Sequence, residues 1–391
     1  MLSFRIATPA DLPAGSALWA YAFEQPGDPF FDWYFGKNFR PESVLLGETE
    51  GHIATALHLH PHTLMIRGKK TAADYIVGVA THPAARRRGA AKALLSEAFH
   101  ISKNNGRPVQ ILMPSAAPLY RKLGFGFYVF QWEREALPRD ISPISETPAR
   151  AMTLTSKEQW PILAGIYDAF TAPLHGYTGR DAKDWARLIE STLAGGHIAV
   201  VFKGNTPSGY LFYNIENQIL AATEMVYTDE SSHRALYGYM AAHDGQVETC
   251  RWYEPFCDKS FYEYANGALH TYIQNRTFPF MMARITDPAA AFTGIETPDI
   301  RANISFHLTD PDIPENTGNY LLTAENGRMT CTRSDAADIS ITPAGAAQLL
   351  TGALSARDLV KFGNIKNASE GNISLLDALF PPKDNWINEW Y

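Results

Sequence analysis

Apolar and polar positions change period several times along the chain. Near the start, Pro9 and Pro13 open a stretch that predicts a helix through Ala22, because proline at a helix start forfeits no hydrogen bond. Loose alternation over 52–60 and again over 64–67 predicts two strands, the second turned by Gly68-Lys69-Lys70. An apolar run over 72–81 predicts a longer strand stopped by Pro83, which cannot donate to a ladder. From 89 to 103 the residues Ala90, Ala93, Leu94, Ala98 and Ile101 keep helical spacing, and Gly106-Arg107-Pro108 ends the run. A buried strand over 109–113 and a short helix over 116–123, closed by Gly124, follow. This order predicts an α/β layer with mixed strand pairing.

A non-periodic stretch over 139–150 predicts a boundary, after which the same order returns. Strands are expected over 197–202, 210–213 and 219–227, then a helix over 231–243 and a strand over 247–253. From about 292 the texture changes. Strands over 304–308, 318–324 and 339–342 precede a helix opened by Pro343 and a second capped by Ser355, which predicts a compact α+β module. Three units are expected: 1–145, 146–290 and 291–391.

Composition narrows the function classes. With 46% hydrophobic and 19% charged residues the chain is an ordinary globular one, neither disordered nor collagen-like. A formal charge of -7 provides no global basic field, so neither nucleic acid nor an anionic membrane surface is an expected partner. Cys250, Cys257 and Cys331 form no close pair, which argues against a disulfide scaffold or a cysteine-built zinc site and for a reducing cytoplasm. No apolar run approaches twenty residues, so a soluble protein is expected.

The strongest chemical signal is the run from Val77 to Ala91, where a strand feeds His82-Pro83, then Arg86-Arg87-Arg88-Gly89. An arginine run by itself reads as a solvated turn. Here it precedes a helix start, which offers unpaired N–H groups and partial positive charge, and Gly89, Ala90 and Ala91 let a ligand approach the backbone. Strand, proline, basic loop, glycine and helix in that order predict a diphosphate cradle. The segment Arg86-Arg87-Arg88-Gly89-Ala90-Ala91 resembles the cofactor signature of the GNAT acetyl-CoA-dependent N-acyltransferases, with Ala91 where many members carry glycine. The resemblance implies acetyl-CoA as cosubstrate, no metal, and backbone contacts to the pantetheine arm and acetyl carbonyl from Val79 and Thr81.

Ser115-Ala-Ala-Pro-Leu-Tyr120, followed by Gly124-Phe125, resembles a second segment of that family. A phenol that gives a proton to a departing thiolate suits acyl transfer, which makes Tyr120 the candidate acid and Ser115 a candidate cofactor contact. The corresponding loop of the middle third, Thr228-Asp229-Glu230-Ser231-Ser232-His233, has carboxylates in place of arginines, so a second GNAT-like unit without cofactor is expected.

The chain ends in Trp386-Ile387-Asn388-Glu389-Trp390-Tyr391, an apolar load that predicts a docked terminus. Two GNAT-like units, a sterol-carrier-protein-like module and an aromatic terminus together resemble the Eis (enhanced intracellular survival) family. The implied architecture is tandem GNAT folds, each a mixed sheet flanked by helices, followed by an α+β sterol-carrier-protein-like domain. The resemblance also implies that the Tyr391 carboxylate reaches the first domain as base, that the acceptor is an amine-bearing, aminoglycoside-like small molecule, and that the assembly is a homo-hexamer. A free α-carboxyl titrates at about 3.3–3.7, so apolar surroundings or a water relay would have to raise its basicity.

Two other readings stay open: a protein or peptide acetyltransferase, and a lipid or hydrophobe carrier, the latter testable by whether the last module encloses an apolar cavity. His58, His60 and His62 alternate as a strand-borne metal site would, but Pro61 is expected to interrupt the strand and no metal is assigned. The aromatic and acidic stretch from Tyr21 to Phe39, including Phe23, Glu24, Phe30, Asp32, Trp33 and Tyr34, is the candidate wall of an acceptor pocket.

Overall fold

The computed structural model describes residues 2–264 and 272–390. Residues 3–285 build one twelve-stranded sheet. Its strands are β1 (Ser3–Ile6), β2 (Val44–Thr49), β3 (His52–Ile66), β4 (Lys69–Thr81), β5 (Val109–Leu112), β6 (Gly126–Ala136), β7 (Ala151–Leu154), β8 (His197–Lys203), β9 (Thr206–Glu216), β10 (Ile219–Tyr227), β11 (Thr249–Pro255) and β12 (Gln274–Ile285). The spatial order is β1-β2-β3-β4-β5-β12-β6-β11-β10-β9-β8-β7. Each half therefore lends a strand to the other: β12 lies between β5 and β6, and β6 lies between β12 and β11.

The two strands expected over 52–60 and 64–67 are one. Pro61 does not interrupt it. The β2 partner ends at His58 and the chain over 176–179 joins that side of β3 only from Thr63 on, so Pro61 lies between them where a residue lacking an N–H costs nothing, while it stays in register with Asp74 of β4.

Helices α1 (Leu12–Ala22) and α2 (Pro29–Trp33) cover one face of the first sheet half; α3 (Ala90–Asn104) covers the other; α4 (Ala117–Arg121) follows β5. The last module is a five-stranded sheet with the helices Pro343–Thr351, Ala356–Lys361 and Glu370–Leu379. Thr342 and Ser355 cap the first two of these through their side-chain oxygens. No helix among the described residues is long and apolar enough to cross a membrane.

This module is joined to the first GNAT-like half by a packed face. Gly124 and Gly126 are required there: a Cβ at either would come within 2.8 Å of Pro343 or Gln348. Ile313 of the module is fully buried in the cluster that holds Leu94, Phe99, Tyr120 and Phe125. Arg284 on β12 pairs with Asp310 at 2.7 Å and lies over the Phe99 ring, and Lys103 near the end of α3 donates to Asn316 at 2.7 Å.

Candidate active site

Strands β4 and β5 run parallel, but only Ala73–Ile76 pairs with Val109–Leu112. β4 continues to Thr81, so its edge opens over Val77–Thr81 while its other side stays paired to β3. At the mouth of this gap Gly78 has φ +61°, and a Cβ there would lie 2.2 Å from the Trp19 ring. Both the backbone conformation and the indole demand glycine. Val79 and Thr81 are half-buried along the open edge, with Val79 against the cluster that contains Tyr120.

Beyond Thr81 the chain turns through Pro83–Ala85, with Arg87 at φ 60° and Gly89 at φ 80°. Gly89 is the N-cap of α3, and no side chain caps that terminus. Ala90 is buried, Ala91 half-buried, and the first-turn N–H groups have no side-chain partner. Arg87 and Arg88 are exposed. Arg86 is used differently: its Nε donates to the Thr81 carbonyl at 3.0 Å and its guanidinium lies over the Tyr21 ring, which braces the loop against β4.

Tyr120, on α4, is only 5% exposed, edge-on to Phe125. Burial pushes its phenol above 10, and the Ser115 hydroxyl opposes part of that rise, so the side chain keeps its proton at neutral pH and can serve as an acid. Ser115 itself is exposed on the loop after β5.

The terminus is docked in the seam between the sheet halves. His175 exchanges backbone hydrogen bonds with Asp384 and Trp386, and Gln131 donates to the Ile387 carbonyl at 3.0 Å. Trp390 packs on Tyr253, Phe278 and Phe280 and donates through Nε1 to the Thr223 carbonyl. Glu389 is fully buried, with Arg180 at 3.1 Å and Arg187 at 3.2 Å. Burial alone would raise its carboxyl; Arg180, His62 and Arg187 hold it well below the usual carboxylate range. Tyr391 lies outside the described residues.

Beside the tail is a cleft of about 400 Å³ between the two sheet halves. Phe30, Tyr213, Asn214, Glu224 and Trp390 line it together with the C-terminal turn of the helix Ala182–Gly195, and no lysine or arginine does. The Asn214 Oδ1 is buried there without a hydrogen-bond partner, and a helix C-terminus carries partial negative charge. Glu224 is already paired with Arg180 at 2.7 Å, so what suits this wall to a cation is its aromatic rings and the helix C-terminus. Of the aromatic and acidic stretch expected to wall the acceptor site, Pro29 and Phe30 reach this cleft. Glu24 instead accepts from Trp19 Nε1, Asp32 accepts from the Gly27 N–H, Trp33 is buried packing, and Tyr34 is buried with its hydroxyl 2.6 Å from His58 Nδ1 and 3.0 Å from His60 Nε2.

Residues 3–128 match the model of an acetyltransferase (GNAT) domain, residues 176–285 that of a second acetyltransferase (GNAT) domain, and residues 288–388 that of a sterol carrier protein domain. The chain is an N-acetyltransferase with two GNAT domains and a sterol carrier protein domain. Among solved structures, a GCN5-related N-acetyltransferase from Anabaena variabilis superposes over the whole of both chains with a TM-score of 0.86 at 19% identity. One from Kribbella flavida reaches 0.83 at 18% over all of this chain and 98% of its own. Eis1 from Mycobacterium abscessus reaches 0.75 at 18% over all of both chains. At these identities the likeness is one of fold. No curated protein matches the chain by sequence. The GNAT domains of this enzyme imply acetyl-CoA as cosubstrate and an amine as acceptor.

Sequence reasoning passed over Arg180, Arg187, Glu389 and Asn214. The tail's aromatic residues drew attention to its docking, while Glu389 gave no sign of partners some two hundred positions away.

Proposed function

We propose that this enzyme transfers acetyl from acetyl-CoA directly to primary amines of a cationic, aminoglycoside-like small molecule, without an acyl-enzyme. The observation that carries this reading is the open edge of β4 leading into an uncapped, arginine-flanked start of α3, with Tyr120 buried beside it. Acetyl-CoA supplies an activated thioester. In this reading the exposed Arg87 and Arg88 and the backbone of Gly89, Ala90 and Ala91 bind the diphosphate, with Arg86 shaping the loop. Val79 and Thr81 pair with the pantetheine arm along the open edge, and Ser115 contacts the cofactor near Tyr120. As the amine nitrogen bonds to the acetyl carbon and the carbon–sulfur bond breaks, Tyr120 gives its proton to the sulfur. The carboxylate of Tyr391 takes the proton that the amine loses.

The cation-suited cleft beside Trp390 supports a polyamine acceptor over a peptide backbone. A carrier role has less support: the cavity between the sheet and helices of the last module, lined by Phe292, Phe306, Leu349 and Leu376, is about 10 Å³, room for one water and not for an acyl chain. The enzyme is read as a cytoplasmic homo-hexamer, which light scattering checks. The decisive experiment incubates the protein with acetyl-CoA, a thiol reagent and a panel of polyamines, aminoglycosides and peptides. Free thiol is expected with the polycations; no release with any acceptor overturns the reading.

A further inference from the structure

The tail has an apolar anchor that would suffice to dock it. The Trp386 ring lies in a cluster of the second GNAT-like half, against Tyr167 and Phe170. Beyond that anchor the second half nevertheless buries charge against the tail: Arg180 and Glu224 are sealed from solvent with Glu389, and Arg187 stands beside them. Desolvating such a set is unfavourable, and apolar packing of the same volume is often as stable or more so. The charges therefore do something that packing does not.

Arg180 is at the centre of the set. The chain just before it joins the other two parts of the seam. Met65 donates to the Tyr177 carbonyl and Gly179 to the Thr63 carbonyl on β3, while His175 exchanges backbone hydrogen bonds with Asp384 and Trp386. The Arg180 guanidinium lies over the Tyr167 and Trp185 rings. Its Nη1 and Nη2 fork onto the Glu224 carboxylate at 2.8 and 2.7 Å, Nη2 also donates to the Asn388 carbonyl at 3.1 Å, and Nε donates to the Glu389 carboxylate at 3.1 Å. The Tyr210 hydroxyl and the Asn388 amide donate to Glu224 at 2.5 and 3.0 Å. One planar cation thus holds β10 and two consecutive tail residues. Next to Glu224, Thr223 is the residue skipped in the register of β9 and β10, and its carbonyl accepts from Asn388 Nδ2 and Trp390 Nε1.

A tail held by ring packing alone can shift along its groove, whereas a rigid fork of donors sets one register. A slip of one residue would bring Asn388 or Trp390 to the guanidinium in place of Glu389. The consequence falls on the cleft of about 400 Å³, which Glu224 and Trp390 both line and Arg180 does not. We infer that Arg180 is a positioning residue for the acceptor: through it the second GNAT-like half seats the C-terminal tail so that Trp390 stands as a wall of the acceptor cleft. The half whose loop carries carboxylates instead of arginines thereby contributes to the reaction without holding a cofactor. The inference rests on the reading of that cleft as the acceptor's.

Two measurements on the full chain test this, with wild type, Arg180→Gln, Glu389→Gln and Trp390→Ala. In timed digestion with a carboxypeptidase, followed by intact mass, Trp390 is expected to be lost about tenfold faster or more from Arg180→Gln and Glu389→Gln than from wild type. Both variants are also expected to lower kcat/KM for spermine about tenfold or more, with acetyl-CoA affinity by calorimetry unchanged. Should Arg180→Gln not fold, Glu389→Gln, which keeps the fork between Arg180 and Glu224, decides alone. Wild-type digestion or wild-type kcat/KM in Glu389→Gln overturns the proposal, as does a loss of kcat/KM that merely tracks lost acetyl-CoA binding, which would be general destabilisation. If Trp390→Ala lowers kcat/KM while the two clamp variants match wild type, the role of Arg180 fails and the acceptor reading stands. If wild type does not turn over spermine, or Trp390→Ala leaves its kcat/KM unchanged, the acceptor reading fails and takes the proposal with it.

Discussion

The two GNAT-like halves open the same gap and treat it in opposite ways. In the first, β4 and β5 pair over four residues and part; in the second, β10 and β11 pair over Ile219–Ala222 with Thr249–Trp252 and part likewise. The first gap leads to an uncapped helix start flanked by exposed arginines. The second is plugged. Glu254 of β11 is fully buried and accepts from His233, Tyr237 and Trp252, while Arg134, reaching in from the exchanged strand β6, pairs with Glu254 and Asp258. His233 stacks on Tyr227 at 4.1 Å, and Asp229 caps the helix Glu230–Ala241 through the Ser232 N–H. The fold supplies a cleft at both places; whether it is a binding site is decided by a few side chains. A buried charge cluster that bonds within itself leaves few donors for a ligand, and of the Arg134 guanidinium only Nε lacks a partner.

The largest test of that contrast compares one tyrosine from each cleft. Tyr120→Phe is expected to lower kcat by about 10²–10³ with little change in KM for acetyl-CoA, because only proton donation is lost. Tyr237→Phe removes a hydrogen bond to a buried carboxylate, which is expected to cost about 1.5–3 kcal/mol of stability and leave kcat intact. Steady-state kinetics and chemical denaturation of both variants decide it; equal loss of kcat from the two would end the distinction.

The loops come next. Replacing Arg86, Arg87 and Arg88 together by Gln should weaken acetyl-CoA binding about 10- to 100-fold and flatten its salt dependence, as expected for charge-assisted contacts to phosphate. Asp229→Asn with Glu230→Gln should create no binding in the second half, since the Glu254 cluster still fills the gap. Calorimetry at two ionic strengths measures both. Binding gained by the second pair would show that loop charge, and not the plug, closes that cleft.

What was legible in advance follows the same line. The cradle loop and the Tyr120 segment are local: strand, turn, glycine and helix lie within a few residues, and each announces itself through period or composition. The strand exchange is not local. β6 and β12 carry ordinary strand patterns, and nothing in either says that its neighbour is a strand more than a hundred residues away. The Glu389 clamp was hidden for the same reason, and the alternating histidines, to which no metal is assigned, gave no sign that Tyr34 joins two of them, because it reaches them only once the chain after α2 folds over β3. Pro61 was misjudged because the rule against proline in strands applies to a side that has a partner, and that side of β3 loses β2 after His58.

The smallest effect is one of pH, confined to the plugged half. Burial alone would lower His233, but the Glu254 carboxylate at 2.7 Å and the nearby Glu230 raise it to about 9. Burial alone would raise Glu254, but Arg134 and His233 draw it down to about 2. A raised histidine stabilises the fold fully below its unfolded value near 6.5, and that contribution fades as pH climbs toward 9. The lowered carboxylate contributes above about 4.5 and fades as pH falls toward 2. Between roughly pH 6.5 and 9, stability should therefore decline by up to about 1 kcal/mol per pH unit on this account. His233→Gln, which keeps a donor toward Glu254 but no charge, should start lower and lose the slope. His233 and Glu254 both belong to the second half, so acetyl-CoA affinity in the first should not follow the same curve. Denaturation and acetyl-CoA binding measured across that range separate the two, and a shared pH dependence would mean that the plug and the working cleft are coupled through β6.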